Sequence, residues 1–347
     1  MVEDRNGRLR PLWDRYGSRI EAELRRALEE RDLVHYGLMR YHLGWEDERG
    51  GRQSSRRGKL LRPLLCLTSC EAVGGDAERV LPLAASLELL HNFSLIHDDI
   101  EDGSPQRHGR DTVWRVWGVP LALYAGDGMF ALAHVTLHRL RAGGVSAEQI
   151  LAARGLLDFA SLRLCEGQYL DLAFEQRIDV SCDDYLEMVS GKTAALVSAA
   201  AASGALVADG EGRAVEAFKQ FGELLGFAFQ IRDDLLGIWG EPTETGKPTG
   251  EDIQARKKSF PVVYALENAT PAGREALRDI YAKPAIDDED VARAVAALES
   301  ADARNRSQEA AAGYAAKAMR QLEGLDLVAE RRRDLELLAD YFVNREI

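Results

Sequence analysis

Residues 87–110 read LELLHNFSLIHDDIEDGSPQRHGR, an apolar segment with helical periodicity that runs into a cluster of four acids. At 3.6 residues per turn, His91, Asp98 and Asp102 fall on one stripe of the helix, and Asp99 flanks it. Carboxylates crowded together beside apolar residues are costly unless a cation lies among them. Mg²⁺ suits such acids, because it accepts one or two carboxylates and fills its other positions with water and phosphate oxygens. The stretch therefore predicts a site that holds a diphosphate through Mg²⁺.

Composition narrows the class of protein. A chain of 347 residues, 46% of them hydrophobic, can bury a large core. The chain has no window of about 18 uncharged apolar residues, and its charged first residues lack a signal-peptide core, so we expect a cytoplasmic protein without stable membrane insertion. The net charge of −13 argues against nucleic acid as a partner. Four cysteines without a CxxC pattern are expected to be buried free thiols: Cys66, Cys70, Cys165 and Cys182.

Almost every segment has helical periodicity, and strand alternation is nearly absent. The pattern predicts helices over residues 14–30, 59–73, 79–102, 119–141, 147–175, 183–207, 212–239, 259–268, 272–282, 288–299, 305–323 and 328–342. The polar run 44–57 is predicted to be a loop, and short turns containing Gly or Asp connect the other segments. No Pro/Ser-rich linker divides the chain. We therefore expect an all-α fold in a single domain over residues 1–347.

Acid pairs elsewhere in the chain have a simpler explanation than metal binding. Asp183 and Asp184 follow Ser181 at a predicted helix start, and the acids in residues 287–290 open another helix. Negative charge at these positions is favourable because it faces the positive end of the helix dipole. These acids are therefore predicted to be helix caps.

Two acid pairs lack this explanation. Asp98 and Asp99 end an apolar helix, where the dipole disfavours negative charge. Asp233 and Asp234 lie inside the predicted helix 212–239, and they too require cations or hydrogen-bond partners. The two pairs together suggest one metal cluster.

Cationic residues that can bind phosphate oxygens accompany these acids in the sequence. Lys59 and Arg62 of GKLLRP (58–63) are three residues apart, so they are predicted to share one face of the helix that begins there. Arg107, His108 and Arg110 follow the first acid cluster directly. The remaining candidates are Lys192, Lys247, Lys257 and Lys258. For any single lysine, a solvated surface position is the commoner outcome, because most lysines are exposed.

The motifs together resemble those of the trans-isoprenyl diphosphate synthases, most closely the geranylgeranyl diphosphate synthases. DDIED (98–102) resembles the first aspartate-rich motif, GKLLRP resembles the GKxxRP motif, and FQIRDD (229–234) resembles the start of the second aspartate-rich motif. The likeness extends through His91, CEGQYLDL (165–172), SGKTAAL (190–196) and GKPTGEDIQARKKSFPVVYAL (246–266). It covers roughly residues 40–270 in order and spacing.

The resemblance implies a helical bundle around a large central active-site cavity, and a homodimeric prenyltransferase that condenses isopentenyl diphosphate with dimethylallyl, geranyl or farnesyl diphosphate. It assigns three Mg²⁺ ions to the allylic diphosphate, with the ligands Asp98, Asp102 and Asp233. It assigns further catalytic roles to Asp99, Lys192, Thr193 and Gln230. The allylic diphosphate is expected to contact Arg107, Lys192 and Lys257, with Gln230 and Lys247 as further substrate-binding residues. Isopentenyl diphosphate is expected to contact Lys59, Arg62, His91 and His108.

Two residues depart from the family pattern. Gly237 stands where a third Asp is common, so the second motif must use Asp233, Asp234 and Asp252. His108 stands where the family usually has Arg, and an imidazole with its ordinary pKa is mostly neutral at pH 7. These departures leave two alternatives open: a terpene cyclase on the same scaffold, and a non-catalytic subunit, against which the intact DDIED and GKLLRP argue.

Phe93 and Ser94, five and four residues before Asp98, are the candidates for setting product length. Phe93 lies about 140° from Asp98 on a helical wheel, so the resemblance and not the periodicity selects it. An aromatic residue followed by a small one is similar to the arrangement in synthases that stop near C20. We therefore expect geranylgeranyl diphosphate as the product, with farnesyl diphosphate as the closest competitor. The structural alternative is that Phe93 is an ordinary core aromatic.

Overall fold

The computed structural model describes residues 7–29, 31, 33–53, 58–208, 212–240 and 249–344. The first helices are α1 (Arg10–Leu12), a π-helical turn (Trp13–Gly17), α2 (Ser18–Glu29), α3 (Val34–His42), α4 (Leu61–Ala72) and α5 (Ala77–Glu101). A hairpin follows, formed by β1 (Gln106–Arg107) and β2 (Arg110–Asp111). Next come α6 (Val113–Trp117), α7 (Val119–Leu137), a 3₁₀ helix (His138–Gly143), α8 (Ala147–Glu175), α9 (Cys182–Val189), a π-helical turn (Ser190–Ala194), α10 (Ala195–Val207) and α11 (Gly212–Trp239). The last are α12 (Glu251–Gln254), α13 (Phe260–Asn268), α14 (Pro271–Tyr281), α15 (Asp288–Ser300), α16 (Ala303–Gln321) and α17 (Ala329–Asn344).

The predicted all-α fold is confirmed. Helices expected over 147–175 and 212–239 match α8 and α11 at both ends. The periodicity did not predict α3 or the hairpin, both of which are short and held by contacts with other segments. Among the described residues, strand pairing is limited to that hairpin and one isolated bridge between Glu46 and Arg52.

The chain forms two compact units. The first comprises residues 1–158, 199–218 and 325–337, and the second comprises residues 159–198, 219–324 and 338–347. The single domain expected over residues 1–347 stays a prediction. Each unit is described below by itself.

Helices α5 and α7 form the core of the first unit. The Asp76 side chain caps the start of α5 by accepting from Glu78 N. Ser86 Oγ donates to Ala133 O at 2.7 Å, a buried bond that ties α5 to α7. This pair of helices fixes the direction of the segment that carries the acid cluster.

Close helix crossings shape the second unit, and small residues permit them. A Cβ added at Gly167 of α8 would lie 2.0 Å from Lys192 N, and one at Gly191 would lie 2.4 Å from Arg163 O. On α11, a Cβ at Gly226 would lie 2.4 Å from Ala194 Cα. Residues 190–194 are therefore packed against α8 on one side and α11 on the other.

The predicted helix caps are confirmed. Ser181 and Asp184 form a capping box at the start of α9, in which each side chain bonds the other residue's backbone N–H. Asp287 caps α15 by accepting from Asp290 N at 2.9 Å. These acids thus serve helix starts, in contrast to those at the end of α5.

The cysteines are free, and two of the four are buried as predicted. Cys66 and Cys70 are buried, Cys182 is half-buried and Cys165 is exposed. The prediction of burial is wrong for Cys165 because it lies on the outer face of α8. No helix within the described ranges is long and apolar enough to cross a membrane.

Candidate active site

The first acid cluster lies at the C-terminal end of α5. Asp98 is half-buried, Asp99 is 2% exposed, and Asp102, which follows the last helical residue, is exposed. The free carbonyls at this helix end add negative potential, so the site attracts cations. Burial raises the pKa of the Asp99 carboxyl to about 6, although Arg107 acts in the opposite direction.

Arg107 reaches Asp99 because the chain reverses in a hairpin after the acids. His108 and Gly109 have φ values of 53° and 73°, as the central residues of a type I′ turn require. Arg107 pairs with Arg110 across the hairpin, and its Nε donates to Asp99 Oδ1 at 2.8 Å. The other oxygen, Asp99 Oδ2, is buried and has no hydrogen-bond partner among the residues that the structure describes.

A cationic cluster surrounds His91, two turns before the acids. Burial lowers the pKa of His91 well below its ordinary value, and the charges of Arg62 and Arg107 lower it further. Asn92 donates to the Glu88 carboxylate at 3.0 Å, and burial raises the pKa of Glu88. Positive charge therefore collects around a neutral imidazole, with Glu88 as the nearby carboxylate. This arrangement favours an anionic ligand.

The sequence patterns did not mark His42, the last residue of α3, as part of this cluster. His42 hydrogen-bonds with Asn92, and its pKa is lowered to about 3 by burial and by the nearby Arg107 and His108. No sequence signal identifies His42, because its position beside α5 depends on how α3 packs. Glu88 and Asn92 could have been found as polar residues four apart on an apolar helix.

The GKLLRP segment reaches this cluster differently from the prediction. Helix α4 begins one residue before Arg62, so Lys59 precedes the helix, and the prediction that the two share a helical face is wrong. Leu60 between them has a φ of 51°, a left-handed conformation that costs roughly 1–2 kcal/mol for an L-residue and redirects the chain. A Cβ added at Gly58 would lie 3.6 Å from Glu88 Oε1, so the segment runs beside α5.

Lys192 lies in the π-helical turn of the second unit. Its Nζ donates to Asp171 Oδ2 of α8 at 2.5 Å. The ion pair forms one helical turn after Gly167, where the backbones of α8 and the π-helical turn approach most closely. Single π-helical turns often occur at functional sites, because they reorient side chains within an otherwise regular helix.

Thr193 and Gln230 belong to a buried hydrogen-bond network. Thr193 Oγ1 donates to Gln230 Oε1 at 2.7 Å, and Gln230 Nε2 donates to Asp234 Oδ1 at 2.9 Å. Tyr185 OH and Phe260 N each donate to Asp234 Oδ2 at 2.7 Å. Burial raises the pKa of Asp234 to about 7. Both oxygens of Asp234 thus serve internal partners and orient Gln230.

The second aspartate-rich motif offers other carboxylates. Asp233 is exposed, next to its buried neighbour. A Cβ added at Gly237 would lie only 1.9 Å from Asp252 Oδ2. Asp252 therefore occupies the space where the side chain of a third motif acid would begin.

The structure distinguishes the two adjacent lysines. Lys258 is 4% exposed, its Nζ donates to Arg256 O at 3.1 Å and lies 4.8 Å from the Tyr281 ring, and burial lowers its pKa to about 8. Lys257 is half-buried, and it remains the candidate for contact with a diphosphate. Lys247 lies outside the described residues.

Phe93 and Ser94 are both buried on α5, each 8% exposed. The Phe93 ring packs edge to face against His97 and Phe130, with ring centroids 5.5 and 5.2 Å apart. Ser94 Oγ donates to His91 O at 2.8 Å. These contacts are compatible with a core role and with a tunnel floor.

The acids at the end of α5 fit Mg²⁺ by their chemistry. Their donors are all oxygens, and the buried Asp99 Oδ2 leaves one carboxylate oxygen without a protein partner within the described ranges. No group of three or more His, Cys, Asp or Glu side chains in the described part of the chain forms a closed metal cage. An incomplete ligand set is what Mg²⁺ uses when water and substrate phosphates supply the remaining ligands.

The sequence profile of the polyprenyl synthetases matches residues 51–298. The chain belongs to the polyprenyl synthetase family. A (2E,6E)-farnesyl diphosphate synthase of Mycobacterium bovis is 38% identical over 330 residues, which cover 94% of this chain and 90% of the relative. A geranylgeranyl diphosphate synthase of Mycobacterium tuberculosis is 40% identical over 290 residues, covering 83% and 81%.

The fold agrees with solved structures of the family. The crystal structure of a polyprenyl synthetase from Streptomyces coelicolor A3(2) superposes with a TM-score of 0.90 at 36% identity, covering 97% of this chain and 100% of the other. The family joins isopentenyl and allylic diphosphates and uses Mg²⁺ to bind diphosphate. This chain is accordingly an isoprenyl diphosphate synthase, a trans-prenyltransferase.

Proposed function

We propose that this synthase condenses isopentenyl diphosphate with an allylic diphosphate, dimethylallyl, geranyl or farnesyl diphosphate, and releases geranylgeranyl diphosphate. The observation that carries the proposal is the cationic cluster around His91, two turns from the acids of α5 on the same helix. A ligand site with positive charge and a metal site with negative charge suit a reaction between two diphosphates.

The proposed isopentenyl diphosphate site consists of Lys59, Arg62, His91 and His108. His42 and Asn92 adjoin it, because the hydrogen bond between them brings α3 to this part of α5. The neutral state of His91 lets its ring nitrogens donate and accept hydrogen bonds, while arginine and lysine supply the charge.

The proposed allylic site uses the carboxylates Asp98, Asp102 and Asp233 as ligands of Mg²⁺, three ions in all. Its diphosphate contacts come from Arg107, Lys192 and Lys257, with Lys247 as a further candidate. When bound, Mg²⁺ stabilises negative charge on the leaving pyrophosphate. Asp99 supports the site by orienting Arg107 through their 2.8 Å bond.

The chemistry begins with heterolytic cleavage of the allylic C–O bond, which leaves an allylic cation and pyrophosphate. Electrons of the isopentenyl double bond form the new C–C bond, and a proton is then lost to pyrophosphate. Thr193 and Gln230 are proposed to face the cation with their oxygens. Their bonds to each other and to Asp234 fix these dipoles before reaction, which avoids reorganisation during the step.

Product length is proposed to depend on Phe93 and Ser94. The relatives include both a farnesyl and a geranylgeranyl diphosphate synthase at similar identity, so relatedness does not choose between C15 and C20. The Phe93 ring, 8% exposed and one turn before His97, supports a floor that small Ser94 leaves open beside it. Phe93→Ala should lengthen the product beyond C20, and Ser94→Phe should shorten it toward C15. If Phe93 is only a core aromatic, its loss costs about 3–5 kcal/mol and changes no product.

A homodimer is proposed from the outer face of α7. Large apolar side chains are exposed there: Leu121, Leu123, Tyr124, Phe130 and Val135. Patches of this kind mark interaction surfaces, and a symmetric pair buries the same patch on both partners. Light scattering should give twice the chain mass of 38.3 kDa. Val135→Glu should shift the mass toward the monomer. The proposed compartment is the cytoplasm.

The decisive experiment is turnover by the purified chain with Mg²⁺, farnesyl diphosphate and labelled isopentenyl diphosphate. We expect a labelled C20 diphosphate, and removal of Mg²⁺ with a chelator should abolish it. With geranyl diphosphate as primer, a product that stops at C15 would favour farnesyl diphosphate synthase. A cyclic hydrocarbon formed without consumption of isopentenyl diphosphate would identify a cyclase instead.

A further inference from the structure

Four aromatic rings form a continuous cluster between α5 and α7, which we call the α5–α7 aromatic cluster: Phe93 and His97 from α5, and Phe130 and His134 from α7. The Phe93 centroid lies 5.2 Å from that of Phe130 and 5.5 Å from that of His97, with interplanar angles of 73° and 82°. Phe130 and His134 are 4.7 Å apart at 65°. All these contacts are edge to face, the geometry that favours a fixed ring orientation.

The cluster runs away from the acids in regular steps. His97 precedes the acids directly, and a Cβ added at Gly126 of α7 would lie 2.3 Å from its Nε2, so the helices touch at this level. Phe93 is one turn earlier on α5, and Phe130 is one turn later on α7. These two rings therefore form the next level, and a prenyl chain that grows away from the acids meets them together.

We propose that Phe130 is a second determinant of product length, a positioning residue that acts by holding the Phe93 ring in place. The proposal rests on the proposed function, because it requires Phe93 to limit chain growth. Phe93 is held between His97 on one side and Phe130 on the other. If the Phe130 ring is removed, the Phe93 ring can turn into the vacated space, and the floor opens.

Exposure distinguishes the two phenylalanines. Phe130 is 37% exposed, whereas Phe93 is 8% exposed. Truncation of Phe130 therefore leaves a space open to solvent on its outer side, and we expect a smaller loss of stability than truncation of Phe93 causes. An effect of Phe130 on product length would thus come with little loss of folded protein.

The test is a cycle of Phe93→Ala, Phe130→Ala and the double variant, with products sized by chromatography from labelled isopentenyl diphosphate. Phe130→Ala should raise the ratio of longer product to wild-type product by about two- to tenfold, the range expected from losing one edge-to-face contact. Phe130→Tyr keeps the ring and should restore the wild-type distribution. Because Phe130 acts through Phe93, its truncation should add nothing in the Phe93→Ala background.

Tyr124→Ala is the matched control. It removes a 66% exposed ring from the same apolar face of α7, so it reproduces any loosening of that face and should leave product length unchanged. Phe130→Leu retains apolar bulk if the alanine variant does not fold, and should shift the products in the same direction by less.

Each result decides the proposal. An unchanged distribution in folded Phe130 variants would overturn it, and so would an equal shift in Tyr124→Ala. A further shift in the Phe93→Ala background would mean that Phe130 lines the tunnel itself and does not act through Phe93, which also overturns it. Wild-type turnover is measured first: absence of any prenyl diphosphate refutes the proposed function and this inference with it, whereas normal wild-type product with inert Phe130 variants refutes the inference alone.

Discussion

Gly167 of α8 lies where the helix crosses the π-helical turn that carries Lys192. An alanine Cβ at this position would be 2.0 Å from Lys192 N and 2.7 Å from Met188 O, and both contacts are to backbone atoms. Because ordinary contact begins near 3.4 Å, the two backbones must separate by at least 1.4 Å, the difference between 3.4 and 2.0 Å. Neither partner is a flexible side-chain end that could move aside.

Two stability effects of Gly167→Ala oppose each other. Overpacking a close contact costs about 1–3 kcal/mol, whereas alanine is favoured over glycine in a helix by about 1 kcal/mol. The net loss should therefore lie between zero and about 2 kcal/mol, which leaves the protein folded. Turnover should suffer more. A displacement of about 1 Å of a catalytic group can cost on the order of 100-fold in rate, and the separation at Gly167 moves Lys192 relative to the rest of α8.

The assay compares kcat with the free energy of unfolding for Gly167→Ala and a control. Gly313→Ala on α16 is matched, because its added Cβ meets nothing within 4 Å in the described structure. The control should gain up to about 1 kcal/mol and keep its kcat. Wild-type kcat in folded Gly167→Ala would refute the argument that this crossing positions Lys192.

Three further predictions concern individual residues. Asp98→Asn should lower kcat by orders of magnitude with an unchanged circular dichroism spectrum, because the carboxylate serves a cation and not the core; full activity would exclude it as a metal ligand, and Asp183→Asn should change little. Arg62→Ala should raise the KM for isopentenyl diphosphate far more than that for the allylic substrate, and equal increases would contradict the proposed division of the site. Ser181→Ala removes the capping box of α9 and should lower the unfolding free energy by about 1 kcal/mol in denaturant titrations; no change would mean that the cap contributes nothing.

The sequence by itself determined the features that depend on neighbours along the chain. The period of 3.6 residues located α8 and α11, because the apolar stripe of a helix is written in consecutive turns. The caps at Ser181 and Asp287 followed from the unpaired N–H groups that every helix start presents. The acid cluster at the end of α5 was apparent because a helix dipole disfavours carboxylates there, whatever the rest of the fold.

Only the tertiary structure decided which of these residues meet. His42 joins the His91 cluster because α3 packs beside α5, and a sequence does not state which distant helices are neighbours. Likewise, Lys257 and Lys258 are adjacent and identical in type, yet only Lys258 has its ammonium group buried against backbone carbonyls. Hydrogen-bond partners and burial arise from contacts between residues far apart in sequence, and these contacts depend on backbone directions that local propensity leaves open.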